Sequence, residues 1–178
     1  MKRPAFLRLT TNREHRLELM REATVMILYV SVIEIAELAA IPESHLSFGR
    51  VTGPVGDHLL AIVWGTAVGL ALAHWFAFGL AAPAFRGERP THHDTQVGIA
   101  QLAGAILVAA LSSLPVLLLS DVRAQETTGD VPALLVGVVG YLVARQTGAS
   151  RRASVLYGGT ALAVGLVVAL VKSALSAH

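Results

Sequence analysis

The chain has 178 residues, of which 54% are hydrophobic and 15% charged. A soluble domain carries about 25% charged residues, so this composition argues against a water-soluble globule, and the length suits one compact unit. The absence of cysteine excludes disulfides and thiolate metal centres, and the net charge of +2 gathers in tails and loops rather than in a nucleic-acid-binding stripe.

Residues 1–22 form a charged arm, with Lys2, Arg3, Arg8, Arg13, Arg16 and Arg21 among Leu17, Leu19 and Met20. The arm has no apolar core of the kind a secretory signal needs, so the first apolar run is expected to stay in the mature protein. The pattern predicts a helix that extends the first span into the cytoplasm, near headgroups where basic residues contact anionic lipid.

Five apolar runs follow, at 23–41, 59–82, 96–119, 131–144 and 153–171. Crossing a hydrocarbon core of ~30 Å takes roughly 20 apolar residues, which four of the runs approach. The fourth is short. It is expected to span by thinning the bilayer, by snorkelling of Arg145 or by shelter from its neighbours, with Asp130 and Pro132 marking its start. With the N-terminus inside, 11 of the 14 basic residues fall on the inner side, leaving Arg50, Arg123 and Lys172 outside. The positive-inside rule therefore favours five spans with a cytoplasmic N-terminus; a re-entrant fourth segment is the alternative. The expected architecture is an all-α polytopic transmembrane helix bundle formed by residues 23–178. The arginine- and alanine-rich composition points to a bacterial inner membrane.

The first run carries two carboxylates, Glu34 and Glu37. A charged group at mid-bilayer costs about 2.5–3.5 kcal/mol on insertion scales, so such residues mark function by default. Three positions apart, they are neighbours on the helix surface and do not both ionise easily, which suits them to exchange a proton or bind a cation. Ser31 and Thr24 continue the polar stripe inward. The bland alternatives are an ion pair between Glu37 and Lys172, or a carboxylate that reaches the outer headgroups.

The second run has small residues every fourth position, Ala61, Gly65, Gly69, Ala73, Ala77 and Ala81. This ridge is expected mainly to pack within the chain, and its length raises the prospect of a second subunit. His74 is a candidate inner proton relay, although with Trp75, Phe76 and Phe78 it also reads as an interfacial anchor. The third run holds Gln101, a helix–helix hydrogen bonder, and Pro115, a kink or hinge next to Ser112 and Ser113. Shorter small-residue ridges mark Ala105 and Ala109 in the third run, and Ala161, Gly165 and Ala169 in the fifth.

The presumed loops hold Glu43, His45, Asp57 and His58 on one side and His92, His93 and Asp94 on the other. Neither group has the helical spacing of a strong metal motif, so no metal site and no cofactor are expected. Nucleophile-elbow, zincin, Walker and dinucleotide signatures are absent, and no enzymatic activity is expected. The leading expectation is a homo-oligomeric channel or transporter for protons or small cations in the lipid bilayer. The rival is a structural or accessory subunit whose carboxylates are neutralised by pairing, and an intramembrane lipid enzyme is a distant third.

Overall fold

A computed structural model describes residues 5–41, 45–47, 50–52, 54–86 and 92–176, with side chains described over 13–41, 54–80 and most of 92–175. Seven helices account for nearly all of it: α1 (Ala5–Ala39), α2 (Asp57–Arg86), α3 (His92–Ser112), α4 (Leu114–Leu118), α5 (Asp121–Thr128), α6 (Asp130–Gln146) and α7 (Arg151–Ser176). A small antiparallel hairpin, β1 (His45–Ser47) and β2 (Arg50–Thr52), interrupts the connection between α1 and α2.

Three helical segments are long and apolar enough to cross a membrane: Asp57–Leu80, His92–Leu118 and Arg151–Val171. Each of the five apolar runs is mostly helical, but the first and fourth do not reach that standard. α6 is 17 residues long, and α1 carries the charged arm and two carboxylates. α1 is also the hub, packed against α2, α3, α6 and α7. Four neighbours pack against it and bury Ser31 and Glu34, whereas Arg13, Glu14, Arg16 and Arg21 stay exposed. The outward faces of the other helices are strongly apolar, as at Phe76, Leu118, Leu134, Leu156 and Leu170.

Close helix approach occurs where a glycine leaves room for a neighbouring backbone. A Cβ on Gly104 of α3 would stand 2.6 Å from the Ala23 carbonyl oxygen of α1, and one on Gly158 of α7 would stand 2.6 Å from the Gly137 oxygen of α6. Contacts of this kind hold helices together where apolar burial alone offers little drive. Ala105 and Ala109 are fully buried, and Gly165 faces Val32 and Ile35 of α1.

The ridge on α2 behaves differently from expectation. Ala61, Gly65, Gly69 and Ala73 are exposed, and a Cβ on Gly65 or Gly69 would meet nothing within 4 Å. The buried face of α2 is the offset row Leu59, Val63, Ala67 and Ala71. Both rows repeat every four residues, and the one with larger side chains supplies the contacts that fill the core.

Pro115 falls in the first turn of α4, and Ser113 alone separates α4 from α3. Ser113 N–H still donates to the Ala109 oxygen at 2.9 Å, and Leu117 N–H to the Ser113 oxygen at 3.1 Å. Between the third and fourth apolar runs the chain forms the short helix α5, with Ala124 and Thr128 buried. α6 ends in a Schellman motif: Ala149 N–H reaches the Ala144 oxygen, Gly148 N–H reaches the Arg145 oxygen, and Gly148 takes φ +84°. The Arg145 guanidinium donates to the Ala149 oxygen at 2.7 Å, securing this turn.

Candidate functional site

The site begins with Glu34, which is 1% exposed on the face of α1 that meets α3. The C-terminal end of α3 brings Ser112 to it, and the Ser112 hydroxyl donates to Glu34 Oε2 at 2.7 Å. The other carboxyl oxygen, Oε1, is buried without a hydrogen-bond partner, as is the hydroxyl of Ser31 one turn away. Both atoms are polar, enclosed and unsatisfied, a costly arrangement that calls for an explanation. Among the described side chains no lysine or arginine pairs with Glu34. The side chain of Lys172, the candidate ion-pair partner of Glu37, lies outside the described residues.

One turn further along α1, Glu37 accepts a hydrogen bond from Thr66 of α2. Glu37 and Thr66 line an open groove between α1 and α2 with Ala40, Ile41, Ala61 and Ile62. The small side chains of Ala61 and Gly65 keep that groove open, so part of the α2 ridge borders the carboxylate. The two glutamates thus occupy successive layers, Glu37 at an open mouth and Glu34 sealed behind it.

Beside this layer, Trp64 of α2 donates from its indole nitrogen to the Ser113 hydroxyl at 3.0 Å, and that hydroxyl donates to the Ala109 oxygen at 2.7 Å. Neither serine therefore serves the carbonyl freed by Pro115. One is committed to Glu34, and the other ties α3 to α2.

The inner candidates lie elsewhere. His74 packs its ring against Phe78, at a centroid separation of 5.3 Å, and acts electrostatically on Glu22. Glu22 accepts from Arg21 at 2.8 Å and from the Gln101 amide at 3.0 Å. Arg21 above all, aided by Gln101, holds the Glu22 carboxyl below its usual range against the opposing effect of burial. Twelve residues separate Glu22 from Glu34, roughly 18 Å along a helix. Between them lies the apolar cluster of Met26, Val30, Val63, Ala67, Val108 and Ala109. Thr24 does not bridge the gap, because its hydroxyl donates to its own helix at the Met20 oxygen. In this conformation Ser31, Glu34 and Ser112 form one layer with Glu37 and Thr66 beyond them, while His74 belongs to a second, separate layer.

Sequence reasoning missed the roles of Ser112 and Thr66. Ser112 had a visible signal, a serine just before Pro115. Thr66 had none, because a lone threonine in an apolar helix is common. A third grouping, His15 and Glu18 of α1 with His93 of α3, also went unread. His92 and His93 were assigned to a loop, whereas they begin α3. Of the opposite loop group, Glu43 and the His45 side chain lie outside the described residues.

No protein-family model matches this chain, and neither the curated proteins nor the solved structures contain a significant match.

Proposed function

We propose that this chain is an integral membrane channel or transporter for protons or small cations, with Glu34 as its exchangeable group. The carrying observation is the enclosed Glu34 carboxyl, one oxygen held by Ser112 and the other unpartnered beside the unpartnered Ser31 hydroxyl. A buried carboxylate needs a compensating positive charge, and none of the described arginines supplies it. A proton or a small cation meets that need and, unlike an arginine, can leave. Glu37 and Thr66 in the outer groove are the entry layer, and Ser31 offers the next oxygen inward.

The five-span topology with a cytoplasmic N-terminus belongs to this reading, as does a location in a bacterial inner membrane. The apolar cluster between the two polar layers then acts as a closed barrier, and transport requires it to open. The break between α3 and α4 beside Pro115 is a natural pivot, because Ser112 stands at its edge.

The test is flux in liposomes reconstituted with purified protein, using a pH-sensitive dye and imposed cation gradients. Flux that vanishes in Glu34→Gln, with assembly intact, is the expected result.

A second reading, a structural or accessory subunit, draws support from the exposed row Ala61, Gly65, Gly69 and Ala73, a surface suited to close helix contact with another chain. It predicts no flux under any gradient, and Glu34→Gln would then weaken assembly instead.

A further inference from the structure

We propose that His15, Glu18 and His93 form a divalent metal site, best suited to Zn²⁺, that fastens the N-terminal arm of α1 to the start of α3. The observation is independent of the Glu34 layer. His15 and Glu18 stand three residues apart on α1, so they share one helical face. His93 comes from the first turn of α3, which packs against α1. One ligand atom from each residue lies within 4.8 Å of the other two.

The geometry is already part-way to coordination. His93 Nε2 and Glu18 Oε1 are 3.3 Å apart. Zn²⁺ bonds to nitrogen and oxygen run about 2.0–2.2 Å, so the edge of a tetrahedral site is about 3.3–3.5 Å. The His15 and His93 rings are 5.3 Å apart between centroids and tilted by 49°, so they are not stacked face to face. Drawing His15 inward by about 1–1.5 Å completes three corners of the tetrahedron.

Two imidazoles and one carboxylate are a borderline donor set, which favours Zn²⁺ over Mg²⁺ or Ca²⁺. His93 and Glu18 remain about two-fifths exposed, which leaves the fourth position to water or an exchangeable ligand. A plain ion pair explains the contact between His93 and Glu18, but it does not explain why a second imidazole faces the same carboxylate.

The consequence is mechanical. Metal binding would join the arm to α3 about one turn from the hydrogen bond between Glu22 and Gln101, and so would order the inner end of the hub helix.

The experiment uses the full chain in detergent micelles, purified without a polyhistidine tag, and titrated with Zn²⁺ by calorimetry. One Zn²⁺ per chain is expected, with affinity falling more than about tenfold in His15→Ala, Glu18→Gln and His93→Ala and unchanged in His58→Ala. Two readouts on the unmutated chain guard against misfolded variants. Co²⁺ should give the intense visible bands of a tetrahedral centre, and Zn²⁺ should slow tryptic cleavage after Arg16, which lies between the two α1 ligands. Absence of stoichiometric binding, binding indifferent to His93→Ala, or a purely octahedral Co²⁺ spectrum would overturn the proposal.

Discussion

Glu22 and Glu34 are the same residue on the same helix, yet the bundle treats them in opposite ways. Glu22 stands midway along the hub helix, where Arg21 and Gln101 donate to it. Its charge is compensated within the chain. Glu34, three turns further along, has a serine on one oxygen and nothing on the other. The difference lies in what α3 offers at each level, the Gln101 amide in its first half and the Ser112 hydroxyl at its C-terminal end. A carboxylate fully served by fixed donors is a structural element, whereas one left half-served keeps room for a mobile partner.

The contrast can be broken from the backbone first. Gly104→Val places a side chain against the Ala23 carbonyl, between the two carboxylate levels, and must push α1 and α3 apart. A loss of about 3 kcal/mol or more is expected, read as a lower unfolding midpoint in detergent. Ser112→Ala comes next. It strips the donor Glu34 has and leaves a buried carboxyl without any, at an expected cost of about 1–3 kcal/mol. Gln101→Leu removes one of two donors from Glu22, and Arg21 remains in place. The expected loss is smaller, about 0.5–1.5 kcal/mol, in the same unfolding assay. If Gln101→Leu proved more damaging than Ser112→Ala, the ranking of the two levels would be reversed.

The smallest effect concerns pH. The Glu22 carboxyl is held below its usual range, so its contribution is fully present above the unfolded value of about 4.3. It is lost as pH falls through the lower folded value, which sets the window below about pH 4.3. With partial exposure the contribution is under about 1 kcal/mol. Glu22→Gln should flatten that part of the stability profile in acid titrations of the thermal midpoint.

The helices were largely legible from the sequence, because blocks of apolar residues separated by charged or turn-forming residues leave few alternatives. The same logic located Glu34 and Glu37, since carboxylates within an apolar run stand out. Orientation around the helix axis was not legible. Two rows on α2 repeat every four residues, one from Ala61 and one from Leu59, and only the arrangement of neighbours decides which faces inward. Partners across helices were equally hidden. Nothing in the local sequence joins Thr66 to Glu37, or His15 to His93, which lie far apart along the chain. α5 escaped because eight residues, six of them polar, look like a loop until Ala124 and Thr128 are seen to be buried.

The central claim is that Glu34, and not Glu22, carries the exchangeable charge. The most direct measurement compares cation-driven and pH-driven flux in liposomes for the unmodified chain, Glu34→Gln and Glu22→Gln, each confirmed to be folded and inserted. The account predicts flux in the unmodified chain, most of it retained in Glu22→Gln and none in Glu34→Gln. Flux that survives in Glu34→Gln at the level of the unmodified chain would contradict it.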